Sequence, residues 1–304
     1  MTVFMEPEGV VETGDALVPG AEPVARSQLQ LFHRRFFQHR LAMFGLIVLG
    51  ILTIACFTSQ WWLPNSATDQ DILLGPTPPS SEHWFGTDQL GRDYFARVMQ
   101  GGKISLKIGF AVAIMSTVAG TVAGAVAGFF GGWVDQLLMR ITDLFLIVPS
   151  IAILAIALKK FGGTDTVIMF VLAGLFWMAI ARVVRGQVLA VKEKEFVEAA
   201  RAAGASNSRI IGRHLLPNCI GPIMVNMTLA IAGAIVAEST LSFLGFGVQP
   251  PKTSWGNMLA DAKGNYENNV HLLYFPGLFI LITVLCVNFI GDGLRDAFDP
   301  QAKR

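Results

Sequence analysis

Four stretches of this chain, residues 41–57, 108–130, 215–237 and 270–291, contain no Lys, Arg, Asp or Glu. A helix crossing a bilayer needs about 20 largely apolar residues, within a range of roughly 17–25, and each stretch is long enough. Two shorter ones, 144–158 and 166–181, reach span length once a polar flanking turn is added. Composition argues against a soluble alternative. Apolar residues make up 53% of the chain before its 31 glycines are counted, and charged residues only 15%, against about 25% in an average soluble domain. So few charges do not cover that much apolar surface in water. The expected fold class is all-α: a polytopic membrane protein with six transmembrane helices in the lipid bilayer.

The distribution of Lys and Arg over short loops sets orientation. With both termini cytoplasmic, the inner segments hold Arg26, Arg34, Arg35 and Arg40 before the first span and Arg140 after the second. They also hold Arg182, Arg185, Lys192, Lys194, Arg201, Arg209 and Arg213 between the fourth and fifth, then Arg295, Lys303 and Arg304. That places most of the 23 Lys and Arg residues inside. Residues 1–30 are expected to be a disordered cytoplasmic tail, since Glu6, Glu8, Glu12, Asp15 and Glu22 sit there without apolar periodicity. Residues 31–103 then form the first span and an extracytoplasmic segment. Residues 104–304 form a core of five spans.

Several chemistries are not expected. The net charge of +1 gives no basic field for nucleic acid. Cys56, Cys219 and Cys286 lie far apart in apolar stretches and are small core hydrophobes. The five histidines show no metal-ligand spacing. Residues 86–93 have P-loop glycine spacing, but Arg92 and Asp93 stand where Lys and Ser/Thr are required. No intact Walker A sequence occurs, no HExxH and no GxSxG. No catalytic residue, metal site or bound cofactor is expected.

Two patterns carry information of their own. Gly120, Gly124, Gly128 and Gly132 recur every four residues and line one helix face, which lets a neighbouring backbone approach closely. The polar loop near 182–217 carries Glu198, Ala199, Ala200 and Arg201 on a helix-prone run, with Gly204 as its C-cap. Exposed alanines give a strong helix former without bulk, suited to a groove on another protein. An ordinary solvated loop has the same composition, so docking and solvation both stay open on physics alone.

Here the chain resembles a known family. Glu198-Ala199-Ala200, then Gly204, then Leu216-Pro217 is similar to the EAA motif of permease subunits of ABC importers, with His214 where an aliphatic residue is usual. The stretches 85–93, 241–251 and 291–300 resemble signatures of the C-type permease subunit (DppC/OppC type) of the dipeptide/oligopeptide/nickel group. The resemblance implies a type I ABC importer transmembrane domain in a bacterial inner membrane, forming half of a pore for di- or oligopeptides, nickel, glutathione or a haem-like ligand. It implies that Glu198, Ala199, Ala200, Arg201, Gly204, Leu216 and Pro217 couple to an ATPase. It also implies a second, B-type permease subunit, two ABC ATPase subunits or domains that bind ATP and Mg, and an extracytoplasmic solute-binding protein.

Ionisable and polar groups at membrane depth are functional candidates. Arg140 and Asp143, three apart, are expected either to pair on one helix face or to serve a gate. Glu238 and Ser239 either line the pathway mouth or cap a helix end in water. Asn226 either bonds between helices or lines the pathway. A secondary transporter is the main rival, but the chain shows no matching halves of the kind such proteins often carry.

Overall fold

A computed structural model of the protein describes residues 28–264 and 269–298. The expected tail falls almost wholly outside the described residues. Within them the fold is helical, with no strand and one isolated bridge between Thr87 and Asp93. The helices are α1 (Gln28–Gln38), α2 (Arg40–Trp62), α3 (Tyr94–Phe130), α4 (Gly132–Ile147), α5 (Ser150–Phe161) and α6 (Asp165–Lys192). They continue as α7 (Glu195–Ala202), α8 (Asn207–Arg209), α9 (Ile220–Phe243), α10 (Trp255–Ala262) and α11 (His271–Phe298).

Side-chain caps set several starts. The Asp93 carboxylate accepts from the Ala96 N–H at 2.8 Å to open α3, and Ser254 Oγ accepts from the Asn257 N–H at 3.2 Å to open α10. Each satisfies a backbone donor that the first turn leaves unpaired. α3 ends at Gly131, whose φ of +64° is followed by +54° at Gly132. Two successive positive φ values, which glycine adopts without strain, turn the chain into α4.

α3 is the centre of the bundle. It packs most extensively on α6, then on α9 and α2, while α11 closes the circle between α9 and α2. One core runs from Leu106 and Ala113 on α3 to Val184 and Val188 on α6 and Ile231 and Ile235 on α9. A second joins α3, α5, α6 and α9 through Ile108, Leu154, Leu172 and Leu241. The outward face of α2 carries exposed Ile47, Ile51 and Ile54. An apolar outer surface is the arrangement expected where lipid is the solvent.

α2, α3, α6, the run Asn207–Phe243 and α11 are long and apolar enough to cross a membrane. The expected third span differs from expectation. It is the pair α4 and α5, bent by 87° at the break between them, the geometry of a broken span or a re-entrant loop. Pro149 is the cause. It disfavours helical backbone at the preceding residue, and Val148 is extended at φ −81°, ψ 136°. The fifth span also starts differently: residues Ile210–Leu215 form a π-helix and Leu216–Cys219 a 3₁₀ turn before α9 begins.

Candidate functional site

The α7 loop joins α6 to α9 at one end of the bundle. Its short helix is fixed by burial on one side and left bare on the other. Val197 and Ile210 are fully buried in the main core, as are Leu215 and Cys219 beyond them. Glu198, Ala199, Arg201, Ala202, Ala203 and Gly204 are exposed, and Ala200 is half-buried. The apolar residues thus anchor the loop, and the motif residues form its free face.

The turn after α7 has a defined geometry. The Gly204 N–H donates to Arg201 O at 3.0 Å and the Ala205 N–H donates to Ala200 O at 3.0 Å. This 5→2 and 6→1 pair is the Schellman arrangement, which needs a left-handed residue between the two donors. Gly204 supplies it with φ +79°. A Cβ there would meet nothing within 4 Å, so the glycine is required by its backbone angle and not by crowding.

Beyond the turn, Leu216 is half-buried and packs against the main core, while Pro217 is exposed. Pro217 has no N–H to continue the helical ladder. Close by, Asn218 Nδ2 donates to His214 O at 2.7 Å and satisfies that carbonyl by a side chain. A π turn followed by a 3₁₀ turn is a change of helical pitch, of the kind found at functional hinges. It lies where the loop enters α9.

The glycine face holds α6 in place above this loop. Added Cβ atoms at Gly120 and Gly128 would lie 2.6 Å from Trp177 O and 2.9 Å from Arg185 O, and one at Gly124 would strike Ala181 O. Three glycines therefore mesh with three α6 backbone carbonyls spaced four residues apart. Gly132 does not join them. It lies beyond the end of α3, as the first residue of α4, and a Cβ there would meet nothing within 4 Å. Lys192 Nζ adds a bond to Gly128 O at 3.2 Å.

The membrane-depth polar residues fall out differently from expectation. Asp143 pairs with Arg182 of α6 and not with Arg140, which is exposed and has no ion-pair partner among the described residues. A second bridge, unread in the sequence, joins Arg185 to Asp135 through two bonds, one of 2.6 Å. Both bridges connect α4 to α6, and residues 39 and 50 apart in sequence give no periodic signal. Asn226 Nδ2 donates to Pro222 O of its own helix at 2.8 Å, so it forms no interhelical bond there. Glu238 neither caps a helix in water nor lines an open mouth: it is 0% exposed, and Ser239 is buried beside it. Among the described residues no group of three His, Cys, Asp or Glu is placed to hold a metal ion.

Residues 120–304 match the family described as binding-protein-dependent transport system inner membrane component. Residues 27–79 match the N-terminal transmembrane domain of oligopeptide transport permease C. The chain is 41% identical over 278 residues to the oligopeptide transport system permease protein OppC of Haemophilus influenzae, covering 91% of this chain and 89% of that one. It is 39% identical over 279 residues to the OppC of Mycobacterium tuberculosis, covering 91% and 96%. Among solved structures, a chain of the inward-facing MetNI methionine ABC transporter superposes with a TM-score of 0.56 at 18% identity, covering 66% of this chain and 96% of that one. That likeness concerns the fold.

Proposed function

This chain belongs to the family of binding-protein-dependent transport system inner membrane components, and from that membership we propose that it forms half of the pore of an ATP-driven importer of di- and oligopeptides. The relatives named as oligopeptide permeases, alike over nine-tenths of this chain, support the substrate class. The observation that carries the mechanism is the α7 loop, with exposed Glu198–Gly204 on a buried Val197–Ile210 anchor.

In this reading the termini and α7 face the cytoplasm, as the Lys and Arg distribution favours. Ala199 and Ala200 give α7 a low profile that enters a groove on an ABC ATPase subunit. Two such ATPases bind ATP and Mg and hydrolyse the nucleotide, so this subunit makes and breaks no covalent bond. A B-type permease supplies the other half of the pore, and a loaded solute-binding protein delivers the peptide outside. When the ATPases close, α7 is pushed. Its buried anchor passes the displacement to α6 and, across the π and 3₁₀ junction, to α9. Both helices pack on α3, so their tilt relative to α3 switches the pore between two states.

The test is reconstitution of this chain with its partner permease, ATPases and binding protein in proteoliposomes. ATP-dependent accumulation of labelled di- to pentapeptides, without accumulation of nickel, is the expected result. Nickel uptake without peptide uptake would overturn the substrate class.

A further inference from the structure

At the end of the bundle opposite α7, the segment before α3, the stretch around 250–253 and α10 enclose an open cleft of about 560 Å³. That lies within the roughly 300–1,000 Å³ usual for small-molecule sites. Its charges are arranged unevenly. The Arg97 side chain is 5% exposed and is held by Asp88. Its Nη2 has only long contacts, to Thr253 Oγ1 at 3.4 Å and to Asp261 Oδ2 at 3.5 Å. Both are at the outer limit of a hydrogen bond. Arg92 engages among the described residues only through Nε, on Asp88 at 2.7 Å. Lys252 is 53% exposed and shares one carboxylate, Asp165, with Lys107, at 2.6 and 3.0 Å. The Nη donors of Arg92 are thus left over, and the half-shared ammonium of Lys252 lines the same cleft. Asp261, a carboxylate also 53% exposed, lines the same cleft.

Resting on the reading as a peptide permease, we propose that this cleft receives a short peptide by its terminal carboxylate before transit. The terminal carboxylate lies on the Nη donors of Arg92, in the forked geometry that guanidinium offers to carboxylate, with Lys252 as the second cation. Every peptide with a free C-terminus carries this charge whatever its side chains, so a site that holds it is indifferent to sequence. Arg92→Gln is a usable variant, because Asp88 keeps its bonds from Arg97 and from the Leu90 and Arg92 backbone N–H groups.

The experiment measures equilibrium binding of radiolabelled trialanine and trialanine amide to the full complex in nanodiscs, without binding protein. The amide is expected to bind about tenfold or more weakly, the size of a lost charge-assisted bond. Arg92→Gln and Lys252→Gln should each weaken the acid and narrow the difference. Lys159→Gln, which removes an outer cation away from the cleft, should leave both peptides unaffected. Equal binding of acid and amide overturns the inference, and so does a difference that survives both cleft variants. Carboxylate dependence seen only with binding protein present also overturns it, since the cleft would then seat that protein. ATP-driven import of trialanine by the same wild-type complex is measured in parallel. Import with equal binding removes the cleft alone, whereas no import of any di- to pentapeptide removes the peptide reading beneath it.

Discussion

Among the described residues Glu238 accepts from the serines around it and pairs with no cation. Ser242 Oγ donates to its Oε1 at 2.7 Å, and Ser105 and Ser239 donate to its Oε2 at 3.2 and 3.5 Å. Ser105 Oγ in turn accepts from the Trp255 N–H at 3.2 Å, and Trp255 Nε1 donates to Val98 O at 2.9 Å. One buried side chain therefore ties α3, α9 and α10 together. Glu238→Gln keeps an acceptor for these hydroxyls, whereas Glu238→Leu leaves them buried and unpaired, at about 1–3 kcal/mol for each stranded group. The thermal midpoint of the purified complex should fall clearly for Leu and little for Gln. Equal midpoints would mean that the serines find other partners. In the sequence Glu238 looks like a helix-end residue, because a run of apolar residues stops there. Its burial depends on Ser105, 133 positions away, and no local pattern reports such a partner.

At the scale of elements, α3 and α6 are held in register by glycines against carbonyls. Gly124→Leu drives a side chain against Ala181 O and to within 2.9 Å of Val184 Cβ. Overpacking of this kind costs about 1–3 kcal/mol or more. The expected outcome is a lower yield of folded subunit and a depressed unfolding temperature, with the defect inside this chain and not at a subunit contact. An unchanged midpoint would show that α6 yields without cost. The four-residue spacing of Gly120, Gly124 and Gly128 was legible because a stripe of small residues has one physical use on an apolar helix. Which helix it meets was not legible. Gly132 continues the spacing, yet opens α4, since positive φ at Gly131 and Gly132 breaks the line of α3 before it. The bend at Pro149 was written in the sequence, but the apolar run across it read more strongly than the proline.

Across the whole molecule, length and charge-free runs determined the spans well, because lipid leaves the backbone few options. The α7 loop was legible too, down to the left-handed Gly204, since an Ala-rich helix followed by glycine has few other geometries. The bridges from α4 to α6 and the cleft beside α10 were not, being built from residues brought together only by the fold. The central claim is that α7 carries force from an ATPase into α6 and α9. Ala199 is exposed on the free face of α7, away from Val197 and the core, so Ala199→Trp adds bulk without disturbing the fold. The most direct measurement is ATP hydrolysis by the reconstituted complex, with and without loaded binding protein, in wild type, Ala199→Trp and the control Ser208→Ala, an exposed position on α8 where the change removes bulk and adds none. The account predicts stimulation in wild type and Ser208→Ala and its loss in Ala199→Trp, with the two permease subunits still paired. Full stimulation in Ala199→Trp would contradict it and leave α7 a solvated connector.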